Sequence, residues 1–74
     1  MKILSKKVVQ TKYNKTEIQF VFDCDLSMTV DFYSNEILAY DGCMMPTRGM
    51  IKAANKNLKS PVKDWSNGKL IEIV

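Results

Sequence analysis

Apolar and polar residues alternate along residues 17–32. The even-numbered positions from 18 to 32 are all apolar, and the odd ones are polar except for Val21. Alternation with a period of two is typical of strands with one buried face. A single strand of this length would reach about 50 Å, too long for a small domain. We therefore predict two strands, 16–22 and 26–32, joined by a three-residue loop at 23–25 that keeps the even residues on one face. A strongly bent continuous strand is the alternative.

A preceding strand is predicted at residues 6–13, joined to the second through a two-residue loop at 14–15. This loop sets Val9 opposite Phe20 on the inner face. The same register pairs opposite charges on the outer face, Lys12 with Glu17 and Lys6 with Asp23. Such pairs contribute roughly 0.2–1 kcal/mol each, so the apolar and charged positions favour the same register.

A fourth, short strand is predicted at residues 37–40, after a turn at 33–36. The pattern leaves its facing open: one loop length turns Ile37 and Ala39 inward, and another turns Leu38 and Tyr40 inward. A helical reading of residues 35–40 is too short to be preferred.

A helix is predicted over residues 47–58. Thr47 can cap its N-terminus, and an apolar stripe at helical spacing marks its inward side: Met50, Ile51, Ala54 and Leu58. The dipeptide at 67–68, Asn-Gly, favours a tight turn between strands 62–66 and 69–74. The predicted fold is α+β: a four-stranded antiparallel β-meander (6–13, 16–22, 26–32, 37–40), the helix on one face, and a C-terminal strand or hairpin.

The chain of 74 residues is expected to form a single small domain (1–74). A core so small makes a homodimer a reasonable expectation. The predicted core is drawn from the apolar positions of these elements: Ile18, Phe20, Phe22, Leu26, Val30, Phe32, Ile37, Leu38, Ile51, Leu58, Ile71 and Ile73.

The location expected from the sequence is cytoplasmic. No apolar run is long enough to span a membrane, and the lysine-containing start lacks the apolar segment of a signal peptide. Cys24 and Cys43 fit no CxxC-type pattern, so we expect reduced thiols. Ten lysines against one arginine suggest an AT-rich bacterial or phage genome.

Charge is divided into blocks along the chain. Residues 1–16 carry five lysines and no acid, residues 17–47 carry six acids and no base, and residues 48–74 carry six bases and two acids. The sums, +5, −6 and +4, give the net charge of +3. Such blocks predict separate acidic and basic surfaces.

The basic surface is predicted on the helix, where Arg48, Lys52 and Lys56 recur at every fourth residue and Lys59 follows. Evenly spaced cations suit phosphates and would bind nucleic acid without sequence preference. Two observations weigh against this: aromatic residues are not interleaved with the bases, and a lone arginine offers little bidentate base recognition. A solvated helix face is the simpler interpretation.

The acidic surface is predicted on the outer sheet face, from Glu17, Asp23, Asp25 and Asp31. The acids lack the spacing of a calcium loop, so no metal site is expected. They solvate the sheet in the simplest interpretation, and they would also complement a basic protein partner. Glu17 is expected to face Asp31, a like-charge pair that Lys12 or a basic partner would have to neutralise.

Catalytic chemistry is not indicated. Histidine, the commonest general base, is absent. Cys24 reads as a small core or turn residue, and Cys43, although close to a helix N-terminus, has no partner base. We expect no enzyme activity, no catalytic residues and no cofactor.

An apolar connection at residues 42–46 contains Met44 and Met45. Flexible methionines fill gaps at the end of a sheet and also form adaptable binding surfaces. Trp65, next to the predicted turn at 67–68, could likewise be a lid on the core or an interface anchor.

These features favour a non-enzymatic protein-binding module, such as an accessory subunit or inhibitor of a larger protein or nucleoprotein complex, of the kind that phages and bacteria use as regulators. The alternative is a nucleic-acid-binding protein that uses the helix face of Arg48, Lys52 and Lys56.

Overall fold

A computed structural model describes residues 1–63, which form a four-stranded antiparallel sheet and one helix. The elements are β1 (Ile3–Gln10), β2 (Thr16–Phe22), β3 (Ser27–Asp31), β4 (Ile37–Asp41) and α1 (Arg48–Asn55). The sheet order β1-β2-β3-β4 confirms the predicted α+β meander. Most of the predicted C-terminal hairpin (62–66, 69–74) lies outside the described residues, but Lys63 forms a parallel bridge with Glu36 beside β4.

The β2–β3 hairpin has the predicted three-residue loop. The amide of Phe22 donates to the carbonyl of Leu26 across a 2.8 Å bond, and the register sets Phe20 opposite Met28. Cys24 and Asp25 turn the chain with φ values of 62° and 57°. Gly42, with φ of 86°, passes so close to this loop that an added Cβ would clash with the carbonyl oxygen of Asp25.

The predicted β1–β2 register is wrong by three residues. Lys6 lies opposite Phe20 and Val9 opposite Glu17, so the predicted charge pairs do not form. The amide of Thr11 donates to Lys15 O (2.7 Å) and the amide of Asn14 to Thr11 O (3.1 Å), with Asn14 at φ of 60°. This is a three-residue loop that ends in a left-handed residue. The predicted two-residue loop would have needed Lys15 in that conformation as well, which a residue with a Cβ resists.

The facing of β4 is resolved by a bulge at Leu38. Ile37 lies opposite Val30 and Ala39 opposite Thr29, so one residue of β4 is left without a partner. Because an extra residue reverses the alternation, Ile37 and Tyr40 both turn inward. Each of the two predicted facings is thus correct for one half of the strand.

Helix α1 begins and packs as predicted but ends earlier. The side chain of Thr47 accepts a 3.2 Å bond from the Met50 amide and caps the first turn. Beyond Asn55 the chain leaves the helix, and the Asn55 side chain instead accepts a 2.9 Å bond from the amide of Val62.

The core lies between α1 and the inner face of the sheet, the face formed by the even-numbered residues of β2 and β3. Its buried residues are Ile18, Phe20, Phe22, Met28, Val30, Ile37, Met50, Ile51, Ala54 and Val62. Leu26 and Leu58, predicted in the core, are only partly buried. Phe32 and Leu38 were also predicted there and are 43% and 44% exposed, because the chain turns after Asp31 and because Leu38 is the bulged residue.

Candidate partner-binding surface

The four acids of the predicted acidic surface lie in two separate places. Glu17 and Asp31 are opposite each other on β2 and β3, whereas Asp23 and Asp25 belong to the loop at the other end of that hairpin. At roughly 3.3 Å per residue, the two ends are about 20 Å apart. The four acids therefore do not form one continuous binding patch.

Asp31 has a local structural role. Its Oδ1 accepts bonds from the backbone amides of Tyr33 and Ser34, each 2.9 Å long. The Ser34 amide is the main reason that the pKa of Asp31 lies below its ordinary value, and the Tyr33 amide, the Ser34 hydroxyl and the charge of Lys15 act in the same direction. Lys15, not Lys12, is thus the cation near the Glu17–Asp31 pair.

The methionine loop is open to solvent: Met44 is 97% exposed and Met45 is 68% exposed. Cys43, in contrast, is half-buried, with its Sγ 3.8 Å from the Sδ of Met50. Cys24 is the exposed thiol of the pair. Trp65 lies outside the described residues.

The predicted basic residues are exposed, but the three lysines divide between two cavities and Arg48 lines neither. Lys52 and Lys56 line a groove of about 300 Å³ between the N-terminal half of β1 and α1, called here the β1–α1 groove. Its remaining walls are made by Met1, Ile3, Gly49, Ala53 and Asn57. Arg48 lies on the same helix but does not line the groove.

A second cavity of about 390 Å³, the aromatic cavity, follows at the C-terminal end of α1. Its apolar walls come from Ile18, Phe32, Tyr33 and Leu58, and its cations from Lys6 and Lys59. Asn57 lines both cavities, and the Nζ of Lys6 donates a 2.7 Å bond to its carbonyl oxygen. The two cavities therefore adjoin, and together they are called the basic surface.

The sequence patterns did not identify three residues of the basic surface. Lys6 was assigned to the outer sheet face, Phe32 to the core and Tyr33 only to a turn. Phe32 and Tyr33 in fact form an exposed edge-to-face pair, with ring centroids 5.1 Å apart. The loop-forming run Asp31-Phe32-Tyr33-Ser34-Asn35 was the available signal, because Asp, Ser and Asn initiate turns through their side chains.

Within residues 1–63, no group of three or more Cys, Asp or Glu side chains is arranged to hold a metal ion. None of the helical structure in that part of the chain is both long and apolar enough to cross a membrane.

Comparisons of the chain with protein-family models, curated proteins and solved structures gave no significant match. The function must therefore be inferred from the residues and geometry of the chain itself.

Proposed function

We propose that this protein is a non-enzymatic protein-binding module and that an acidic region of its partner docks on the basic surface. The observation that carries the proposal is the convergence of lysines from separate parts of the chain. Lys6 of β1, Lys52 of α1, and Lys56 and Lys59 after the helix line two adjoining cavities. Among the residues that the structure describes, no acidic side chain lines either of them.

The aromatic cavity supplies apolar contacts, which charge alone does not provide. Protein interfaces combine a desolvated apolar centre, rich in aromatic anchors, with a charged rim. Phe32, Tyr33 and Leu58 form apolar walls, and Lys6 and Lys59 provide the rim. A partner side chain buried between them would gain roughly 1.5–3 kcal/mol from its apolar area.

Charge reversal in the β1–α1 groove tests the proposal. The chain is immobilised and used to capture proteins from cells of its native host, and captured proteins are identified by mass spectrometry. Lys52→Glu should lose the partner that the wild-type chain captures at low salt. Lys12→Glu is the matched control, because it makes the same charge change in the β1–β2 loop and lines neither cavity. Equal capture by all three proteins would contradict the proposal.

A second candidate function is the binding of single-stranded nucleic acid. The exposed Phe32–Tyr33 pair beside Lys59 favours it, since single strands bind through base stacking on aromatics next to cations. The groove lysines carry no fork for bidentate base recognition, so this binding would be sequence-tolerant. Fluorescent oligonucleotides in about 50 mM salt test it. Binding that both Lys52→Glu and Tyr33→Ala weaken would support this function, and no binding would exclude it.

A further inference from the structure

Strand β1 forms one edge of the sheet, and its backbone hydrogen-bonding groups alternate in direction. The bond from Thr11 N to Lys15 O fixes the phase of the β1–β2 ladder. Because alternate residues of an antiparallel pair exchange both bonds, Lys7 and Val9 bond to β2. The N–H and C=O groups of Lys6, Val8 and Gln10 point away from the sheet. In the part of the chain that the structure describes, β2 is the only strand paired with β1.

The opposite edge of the sheet is different. The amide of Ile37 in β4 donates to Lys63 O at 3.0 Å, and the amide of Lys63 donates to Asn35 O at 2.8 Å. A neighbouring segment therefore already occupies part of the β4 edge. Among residues 1–63, the edge of the sheet open to an added strand is therefore that of β1.

The charge of β1 determines what can pair with it. Lys6 lies on the inner face and Lys7 on the outer face, so each face of the edge carries a cation. Lysines on an edge strand ordinarily prevent pairing with other chains. A second copy of β1, bonded antiparallel through the same outward groups, would pair even-numbered residues with even-numbered ones. The two registers nearest the centre would set Lys6 opposite Lys6 or Lys7 opposite Lys7, a destabilising like-charge contact. An acidic strand would turn the same positions into opposite-charge pairs.

The β1–α1 groove adds a further cationic contact. It lies between β1 and α1, on the inner side, where Ile3 meets Lys52 and Lys56. Inner-face side chains of a strand added beside β1 would point to this same side. Acidic residues at alternate positions would then reach the groove lysines.

We propose that an extended, acidic segment of the protein partner adds to the edge of β1 as a further strand and places its acidic side chains along the β1–α1 groove. This inference rests on the proposed protein-binding function and specifies how the partner is held. Main-chain bonds to Lys6, Val8 and Gln10 hold the segment, and the lysines select acidic sequences.

Amide hydrogen exchange followed by NMR tests the proposal with a synthetic octapeptide, Thr-Glu-Val-Glu-Val-Glu-Thr-Glu. At a concentration that leaves one tenth of the protein free, the amides of Lys6, Val8 and Gln10 should exchange about tenfold more slowly. Those of Lys7 and Val9, already bonded to β2, should change little. A peptide of the same composition with its four glutamates grouped together should give less protection.

Val8→Pro removes one outward N–H without touching the β1–β2 ladder, and proline is tolerated at such edge positions. The substitution should abolish the alternating protection, whereas the control Val8→Thr should keep it. Lys6→Glu changes the lysine on the inner face, where the glutamates of the peptide would lie, and leaves the backbone groups intact; this second variant should weaken binding of the peptide.

The outcomes separate this proposal from the proposed function. Suppose that Lys52→Glu weakens binding of the peptide but the β1 amides show no alternating protection. This result would overturn strand addition and would still support binding of an acidic partner. Protection of the same amides that rises with protein concentration alone would show pairing with a second copy and would also overturn it. Strand addition would also be overturned if Val8→Pro captured the host partner as well as the wild type does.

Discussion

Replacing Asp31 tests whether this acid stabilises the β3–β4 loop. Its carboxylate accepts two 2.9 Å bonds from the amides of Tyr33 and Ser34. Asp31→Ala removes both bonds and leaves the two amides to water. The loop carries Phe32 and Tyr33, so its stability also determines the shape of the aromatic cavity.

The magnitude follows from the two bonds and their exposure. A hydrogen bond to a charged group contributes about 1.5–3 kcal/mol. The bond to Tyr33 is exposed and the bond to Ser34 only partly buried, so solvent replaces much of this contribution. We expect Asp31→Ala to lower the free energy of unfolding by about 1–2 kcal/mol, which corresponds to a Tm roughly 5–15 °C lower in a domain of this size. Asp31→Asn keeps an acceptor oxygen and should lose less.

The pH dependence gives a second, independent readout. Hydrogen bonding from the Ser34 amide, aided by the Tyr33 amide and Lys15, holds the folded-state pKa of Asp31 below its ordinary value of 3.8. A carboxyl group with a lowered pKa contributes stability above its unfolded pKa and loses it as the pH falls through the folded pKa. The difference between wild type and Asp31→Ala should therefore be complete at neutral pH and shrink below about pH 4.

Urea unfolding followed by circular dichroism at pH 7 and pH 3 measures both effects. The control is Glu17→Gln, which removes the like charge opposite Asp31 and should be neutral or stabilising by about 0.2–1 kcal/mol. Two results would refute the stabilising role of Asp31 in the β3–β4 loop. One is an Asp31→Ala variant with the same free energy of unfolding as the wild type at pH 7. The other is a loss of free energy of unfolding that is the same at pH 7 and at pH 3.

Three further predictions concern the fold and the thiols. Gly42→Ala should lower the free energy of unfolding by about 2 kcal/mol or more, because it combines a positive φ with a backbone clash. Gly49→Ala in α1 adds a Cβ that would meet only ordinary contacts, from 3.4 Å outward, and should raise the free energy of unfolding by up to about 1 kcal/mol. If urea unfolding showed that both glycine substitutions change stability in the same direction, these roles of the two glycines would be contradicted. Met50→Ala should cost about 2–5 kcal/mol in the same assay, since Met50 is fully buried, and a loss below 1 kcal/mol would contradict its central place. Cys24 should react with a thiol reagent under native conditions before Cys43, which packs against Met50; mass spectrometry of the labelled peptides would show the opposite order if Cys43 were the reactive thiol.

The β2–β3 hairpin could be predicted because two independent constraints agree on it. Alternation set the inner face, and the limit on strand length required a turn between residues 22 and 26. The cap at Thr47 and the stripe of Met50, Ile51 and Ala54 were predictable for the same reason: each is a local pattern with a single structural interpretation.

The β1 register could not be predicted because the features used to select it are weak. Opposite-charge pairs contribute only about 0.2–1 kcal/mol, less than the cost of forcing Lys15 into a left-handed conformation. In the actual loop, Asn14 alone takes that conformation, and the Thr11 hydroxyl accepts from the amides of Tyr13 and Lys15 at 3.3 Å. Loop chemistry therefore outweighed the charge pattern.

The difference between the predicted and the actual β1 register matters for function because it is an odd number of residues. A shift of three residues moves every side chain of β1 to the other face of the sheet. In the predicted register Lys6 would lie on the outer face beside Asp23, its charge neutralised within the sheet. In the structure it lies on the inner face, opposite Phe20, and reaches Asn57 at the end of α1. Lysines from the N-terminal block and from the helical block, which are separate in the sequence, thereby lie side by side on the basic surface. The basic surface depends on this pairing, and the partner we propose is consequently acidic.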